Sequence, residues 1–159
     1  MKDKIREKIN KRIAILPKHH IDTSIFLESE KTETGRCCRR YLQKVGYNYK
    51  GIVSFPVLGE LMSAILSLDD YNERQTLLEI ITGFIRTRKI ERYSQKKTEN
   101  ISISIHHVDP RIDSLDREIL ACAIEDNAAI LVTLDSKLLN NQKLENAFGI
   151  KIRHPKDLI

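Results

Sequence analysis

The chain has 159 residues, a formal net charge of +5, 41% hydrophobic and 31% charged residues, and no Trp. That size and balance predict one globular domain with one aliphatic core and exclude a disordered or fibrous chain. Three cysteines without a CxxC pair argue against a disulfide framework or a zinc site. No apolar run approaches the ~20 residues of a membrane span, and the charged N-terminus predicts no secretory leader, so a soluble cytoplasmic protein is expected.

The basic excess is clustered. Residues 1–18 carry seven Lys and Arg against two acids, residues 36–50 carry five against none, and residues 84–97 carry six against Glu91 alone. Such clusters suit a polyanion, whose condensed counterions are released on contact, although each alone also reads as a solvated face.

In chain order, Ile5, Ile9, Ile13 and Leu16 predict an amphipathic helix over 3–16, stopped by Pro17. Residues 19–27 read as a short strand running into a helix start, with the polar triplet Asp22, Thr23 and Ser24 at the switch. A helix is expected over 33–45, with Gly46 placed to end it. Ile52–Phe55 reads as a strand, and Pro56 opens a helix to Leu68. A helix over 72–88 has Leu77, Leu78, Ile81, Phe84 and Ile85 as its apolar stripe. Residues 94–100 read as a polar loop, and the alternation of Ile101, Ile103 and Ile105 with serines reads as strand or extended chain. Asp113 or Ser114 caps a helix to about Asp126, and the apolar run 128–134 is expected as a strand buried on both faces. A short helix over 143–148 and a strand over 150–153 complete the chain. The alternation predicts an α/β fold, a three-layer α/β/α domain with a mostly parallel central sheet. The N-terminal helix, residues 1–18, stands as a basic appendage to a domain spanning 19–159.

Four acids stand where such a sheet places its ligand crevice. Asp22 and Asp135 directly follow apolar strands, Asp116 lies in the first turn of its helix, and Glu60 one turn into another. Each alone reads equally well as a cap, turn or surface acid. Together, without a basic partner beside each, they form a repulsive cluster that hard divalent cations relieve.

The segments HHIDTSIFLE, IVSFPVLGEL, DREILACAIEDNAAILVTLDSKL and GIKIRHPKDLI, in that order over residues 19–159, resemble the successive motifs of PIN-domain nucleases, in particular VapC-type toxin ribonucleases. The resemblance implies that Asp22, Glu60, Asp116 and Asp135 are catalytic metal ligands and that Ser24 and Thr133 orient them. It implies Mg²⁺ or Mn²⁺ as cofactor, metal-assisted hydrolysis of RNA phosphodiester bonds, an antitoxin-like protein partner and a homodimer. The chain departs from the pattern at Ser136 and Lys137, where many relatives carry a further acid, in its N-terminal helix, and between Glu60 and Asp116.

Arg36, Arg40 and Lys44 form one helical stripe near Tyr41, Tyr47 and Tyr49, and with Lys137 are candidate RNA contacts; a solvated face explains the stripe equally well. His19-His20 and His106-His107 read as structural or solvent-facing, because strand neighbours point to opposite faces. Asp113 reads as an N-cap or an accessory ligand, and Cys122 as core. The alternatives to a ribonuclease are a non-catalytic RNA- or protein-binding scaffold of the same fold and a structure-specific DNA nuclease.

Overall fold

In the computed structural model, residues 1–87, 89–93 and 97–159 are described. Five parallel strands form one sheet: β1 (Lys18–Ile21), β2 (Lys50–Val53), β3 (Ile90–Arg92), β4 (Ile130–Val132) and β5 (Lys151–Arg153), in the spatial order β3-β2-β1-β4-β5. The helices are α1 (Lys2–Ala14), α2 (Thr23–Leu27), α3 (Glu33–Gln43), α4 (Phe55–Ser67), α5 (Tyr71–Arg86), α6 (Glu99–Val108), α7 (Ser114–Glu125) and α8 (Gln142–Phe148), with a 3₁₀ turn at Pro155–Leu158. The sheet is wholly parallel because every connection between its strands carries at least one helix. No described helix is long and apolar enough to cross a membrane.

Strand alternation sets the two helical layers. On β1, His19 meets Tyr41 of α3 on one face, while His20 meets Asp126, at the end of α7, on the other. Ile119 to Ala123 are all buried, and the small Ala121 and Ala123 let α7 lie close to the sheet. Leu131, Val132 and Leu144 are equally inaccessible. Apolar burial at about 25 cal/mol per Å² is the main force holding these layers together.

The chain runs outward from β1 to β3, then returns to place β4 on the other side of β1. Direction therefore reverses between β1 and β4, and a crevice opens beyond their carboxyl ends. Asp22 N–H donates to Val132 O at 3.0 Å and continues the ladder to that edge.

The structure corrects the expected elements at several points. Residues 101–105 are helical, not extended: in α6 the i, i+4 and i+7 positions Ile101, Ile105 and Val108 turn inward, while Ile103 is 55% exposed. Alternate isoleucines satisfy a strand pattern and half a helix pattern at once, and the later repeat decides. The same helix takes Glu99 and Asn100 from the expected loop; residues 94–96 of that loop, and the expected helix end at Arg88, lie outside the described residues. The edge strand β3 was not expected, because it buries only Ile90 and exposes Glu91 and Arg92. The long apolar stripe of α5 is only partly covered, with no buried residue in the helix. Helix α3 stops at Gln43, three residues before Gly46.

One close approach governs α3. A Cβ at Gly35 would stand 1.8 Å from the Ser29 carbonyl oxygen, a backbone atom tied to Thr32 N–H at 3.1 Å. Gly35→Ala is expected to destabilise the fold by about 1–3 kcal/mol or more through overpacking, read as a lowered urea midpoint. Ala at Gly59, inside α4 with nothing within 4 Å, is expected to stabilise the fold by about 0.5–1 kcal/mol through helix propensity.

Candidate active site at the β1/β4 crevice

Asp22 is the N-cap of α2, extended at φ −74° and ψ 155°, and is 7% exposed. Its Oδ1 accepts from Thr23 N–H at 2.8 Å, and its Oδ2 accepts from the Ser24 hydroxyl at 2.9 Å and the Thr133 hydroxyl at 2.7 Å. Thr133 is fully buried, and its oxygen accepts Asp135 N–H at 3.0 Å. Ser24 Oγ accepts Leu134 N–H at 3.2 Å. Two hydroxyls thus tie the end of β1 to the end of β4 and fix the Asp22 carboxylate.

Asp135 folds back on its own loop, with Oδ1 accepting Lys137 N–H at 2.9 Å and Leu138 N–H at 3.1 Å. Asp116, in the first turn of α7, donates its N–H to Asp113 Oδ1 at 3.0 Å, so Asp113 is the N-cap. Burial, a hydrogen bond with the Asp113 carboxyl, and the negative charges of Asp113, Asp135 and Asp22 push the Asp116 carboxyl up to about 7. The Asp116 amide and carboxyl, with help from Lys137, hold Asp113 below its usual range despite partial desolvation. Asp22, Asp116 and Asp135 thus occupy one electrostatic neighbourhood.

Glu60 joins them indirectly. Thr23 donates its N–H to Asp22 and its hydroxyl to Glu60 Oε2 at 2.5 Å. Glu60 lines an open groove of about 630 Å³ with Thr23, Phe55, Leu115 and Glu118, and none of the three aspartates borders it. Thr23 is the residue sequence reasoning passed over; its place in the polar triplet after β1 was the available signal. Among the described residues, no group of three or more His, Cys, Asp or Glu side chains could hold a metal ion as the side chains stand. The chemistry of the donor set nevertheless fits a hard cation: all three side chains are carboxylates, and Asp135 and Asp22 lie near enough to add to the burial and the Asp113 contact that raise Asp116.

The expected basic contacts separate. Lys137 lies beside Asp135 in the loop after β4. Arg36, Arg40 and Lys44 lie along α3, which runs back toward the start of β2, so the stripe leads away from the crevice over about 12 Å. Tyr41 and Tyr49 are buried, stacked with each other at 4.7 Å, with His19 stacked on Tyr49 at 4.2 Å; they offer no face to a base, and only Tyr47, at 57%, is exposed.

His106 and His107 are exposed on a helix rather than paired on a strand. His19 and His20 are buried on opposite sheet faces. Burial lowers His19 to about 4, and burial also lowers His20 against the opposing pull of Asp126. Neutral imidazoles stabilise the fold fully above the unfolded value near 6.5, and this stability is lost as pH falls toward 4. His19 should account for about 2–3 kcal/mol of that loss. His19→Gln is expected to flatten the denaturant-midpoint profile between pH 6.5 and 4, with the His20 share remaining.

No family model matches this chain, and no curated protein does. Solved structures do. A chain of VapBC2 from Rickettsia felis, bound to a DNA fragment from their promoter, is similar at a TM-score of 0.62 and 20% identity, over 86% of this chain and 98% of that one. A chain of DNA-bound VapBC from Salmonella typhimurium is similar at 0.57 and 20%, over 88% and 99%. A chain of FitAcB from Neisseria gonorrhoeae is similar at 0.61 and 16%, over 86% and 98%. The protein is an α/β protein built on a five-stranded parallel sheet. In fold it resembles a VapC-type PIN toxin.

Proposed function

We propose that the protein is a divalent-metal-dependent endoribonuclease of toxin type. The observation that carries the proposal is the Asp116 carboxyl, raised to about 7 by burial, by its hydrogen bond with Asp113, and by the charges of Asp113, Asp135 and Asp22. In this reading Asp22, Asp116 and Asp135 hold Mg²⁺ or Mn²⁺, and Glu60, reached through Thr23, stands as the fourth carboxylate at the groove. A bound divalent ion would lower the pKa of the attacking water and offset the charge that develops on the phosphate. The protein's own part is positional. Ser24 and Thr133 keep Asp22 in one orientation, the Asp135 turn presents Lys137 beside the crevice, and the Asp113 cap fixes the first turn of α7.

An RNA substrate is supported by the basic clusters and by the resemblance in sequence motifs. The similarity to VapBC and FitAcB complexes supports an antitoxin-like protein partner, the PIN resemblance supports a homodimer, and the three free cysteines support a reducing, cytoplasmic setting. Residues 1–18 are read as a basic appendage to the nuclease domain of residues 19–159. The test is cleavage of a mixed RNA pool with Mg²⁺ or Mn²⁺. Cleavage abolished by EDTA and by a combined Asp22→Asn, Asp116→Asn variant is expected. Cleavage that survives both would overturn the assignment, and salt-sensitive binding without cleavage would favour a scaffold.

A further inference from the structure

A second groove lies at the other end of the sheet. It encloses about 800 Å³ between α1 and the turns that precede β2 and β3, and Arg6, Arg12, Arg86 and Lys89 line it with no carboxylate among the lining residues. Neither Arg6, Arg12 nor Arg86 is ion-paired among the described residues. Tyr47 is the exposed aromatic of this groove. Lys89 sits 4.4 Å from its ring centroid and donates to its hydroxyl at 3.2 Å. Gly46 permits this arrangement: at φ +83°, a Cβ there would lie 2.5 Å from Lys89 Cγ, so the lysine stem rests on the bare glycine.

We propose that this groove is a second, non-catalytic seat for single-stranded RNA, with the arginines on backbone phosphates and Tyr47 stacking a base. Guanidinium forks match phosphate oxygens, and an aromatic face accepts any base, so a basic channel with one exposed ring suits a flexible strand. The amphipathic α1 carries the charge: Arg6 and Arg12 border the groove, and the exposed Lys2, Lys4 and Lys8 add positive charge along the same helix. The groove adjoins the amino ends of β2 and β3, whereas Asp22 and Asp135 follow the carboxyl ends of the parallel strands β1 and β4. Strand rise alone separates the two by at least about 10 Å, so one RNA must run along the molecule to occupy both.

The proposal rests on RNA being the substrate of the crevice, but its test does not require cleavage. The full chain is titrated against a short labelled single-stranded RNA in EDTA, across a range of salt. Arg12→Ala, Arg86→Ala together should weaken binding about tenfold, and the slope of log affinity against log salt should shrink by about 1.4, two phosphate contacts at about 0.7 each. Tyr47→Ala should weaken binding at least about fivefold with the slope unchanged. All substituted side chains are at the surface, and circular dichroism checks the fold. Wild-type affinity and slope in the arginine variant, an unaffected Tyr47→Ala, or no RNA binding in EDTA would each overturn the groove. Failure of the nuclease reading looks different: the groove variants weaken binding as expected, while no divalent ion yields cleavage.

Discussion

Asp116→Asn is expected to abolish divalent-dependent RNA cleavage and, in the same protein, to raise thermal stability in EDTA. Asp116 ionises against burial and against the charges of Asp113, Asp135 and Asp22, which raise its carboxyl to about 7. A carboxyl whose folded value exceeds its unfolded value stabilises the fold at low pH and loses that contribution as pH rises from about 4 through about 7. Above pH 7 the wild type carries the full penalty. Asparagine carries none, and its amide can still donate to the Asp113 carboxylate. Because the site is half open to water, the gain at pH 8 should be about 1–2 kcal/mol rather than the full shift. Outer partners of metal ligands typically cost 10–100-fold when removed, so loss of the ligand itself should cost at least about 10²-fold in cleavage. Melting curves and cleavage rates on the same preparation check both halves. A variant that is inactive and less stable would place Asp116 in a merely structural role.

Thr133→Val should produce the second-largest loss, in the opposite direction for stability. Valine keeps the shape but removes the hydroxyl that donates to Asp22 Oδ2 and accepts Asp135 N–H, both at a fully buried position. Leaving a buried carboxylate oxygen and an amide short of partners costs about 1–3 kcal/mol. Cleavage should fall about 10–100-fold, with more Mg²⁺ needed for half-maximal rate, because Asp22 loses one of the two hydroxyls that aim it. Ser24→Ala should follow the same direction less steeply, since Ser24 is only half-buried. An unchanged Mg²⁺ requirement in Thr133→Val would separate the hydroxyl from the proposed metal site.

The layered fold was legible because its strongest signals are local. The buried run before Asp135 has a strand's length and composition, and the α7 segment is long enough for its period to be unambiguous. The edge of the sheet was not legible. Strand β3 buries one side chain, and α6 hides a helical face inside an alternating isoleucine–serine pattern, so tertiary contact decided both. At the site, the placement of Asp22, Asp116 and Asp135 at one crevice follows from the strand order, which the sequence does not state. The link from Asp22 through Thr23 to Glu60 depends on side-chain geometry that spacing does not encode. Tyr41 and Tyr49 show the converse error: aromatics near a basic stripe suggested stacking on bases, yet the fold uses both as core against His19.

The most direct test of the central claim is calorimetric titration of the wild-type chain with Mn²⁺ beside the combined Asp22→Asn, Asp116→Asn variant. Saturable binding to the wild type, lost in the variant while its fold persists, is the result that three aspartates converging on one cation site require. Equal Mn²⁺ binding by both proteins, or none by the wild type, would contradict it.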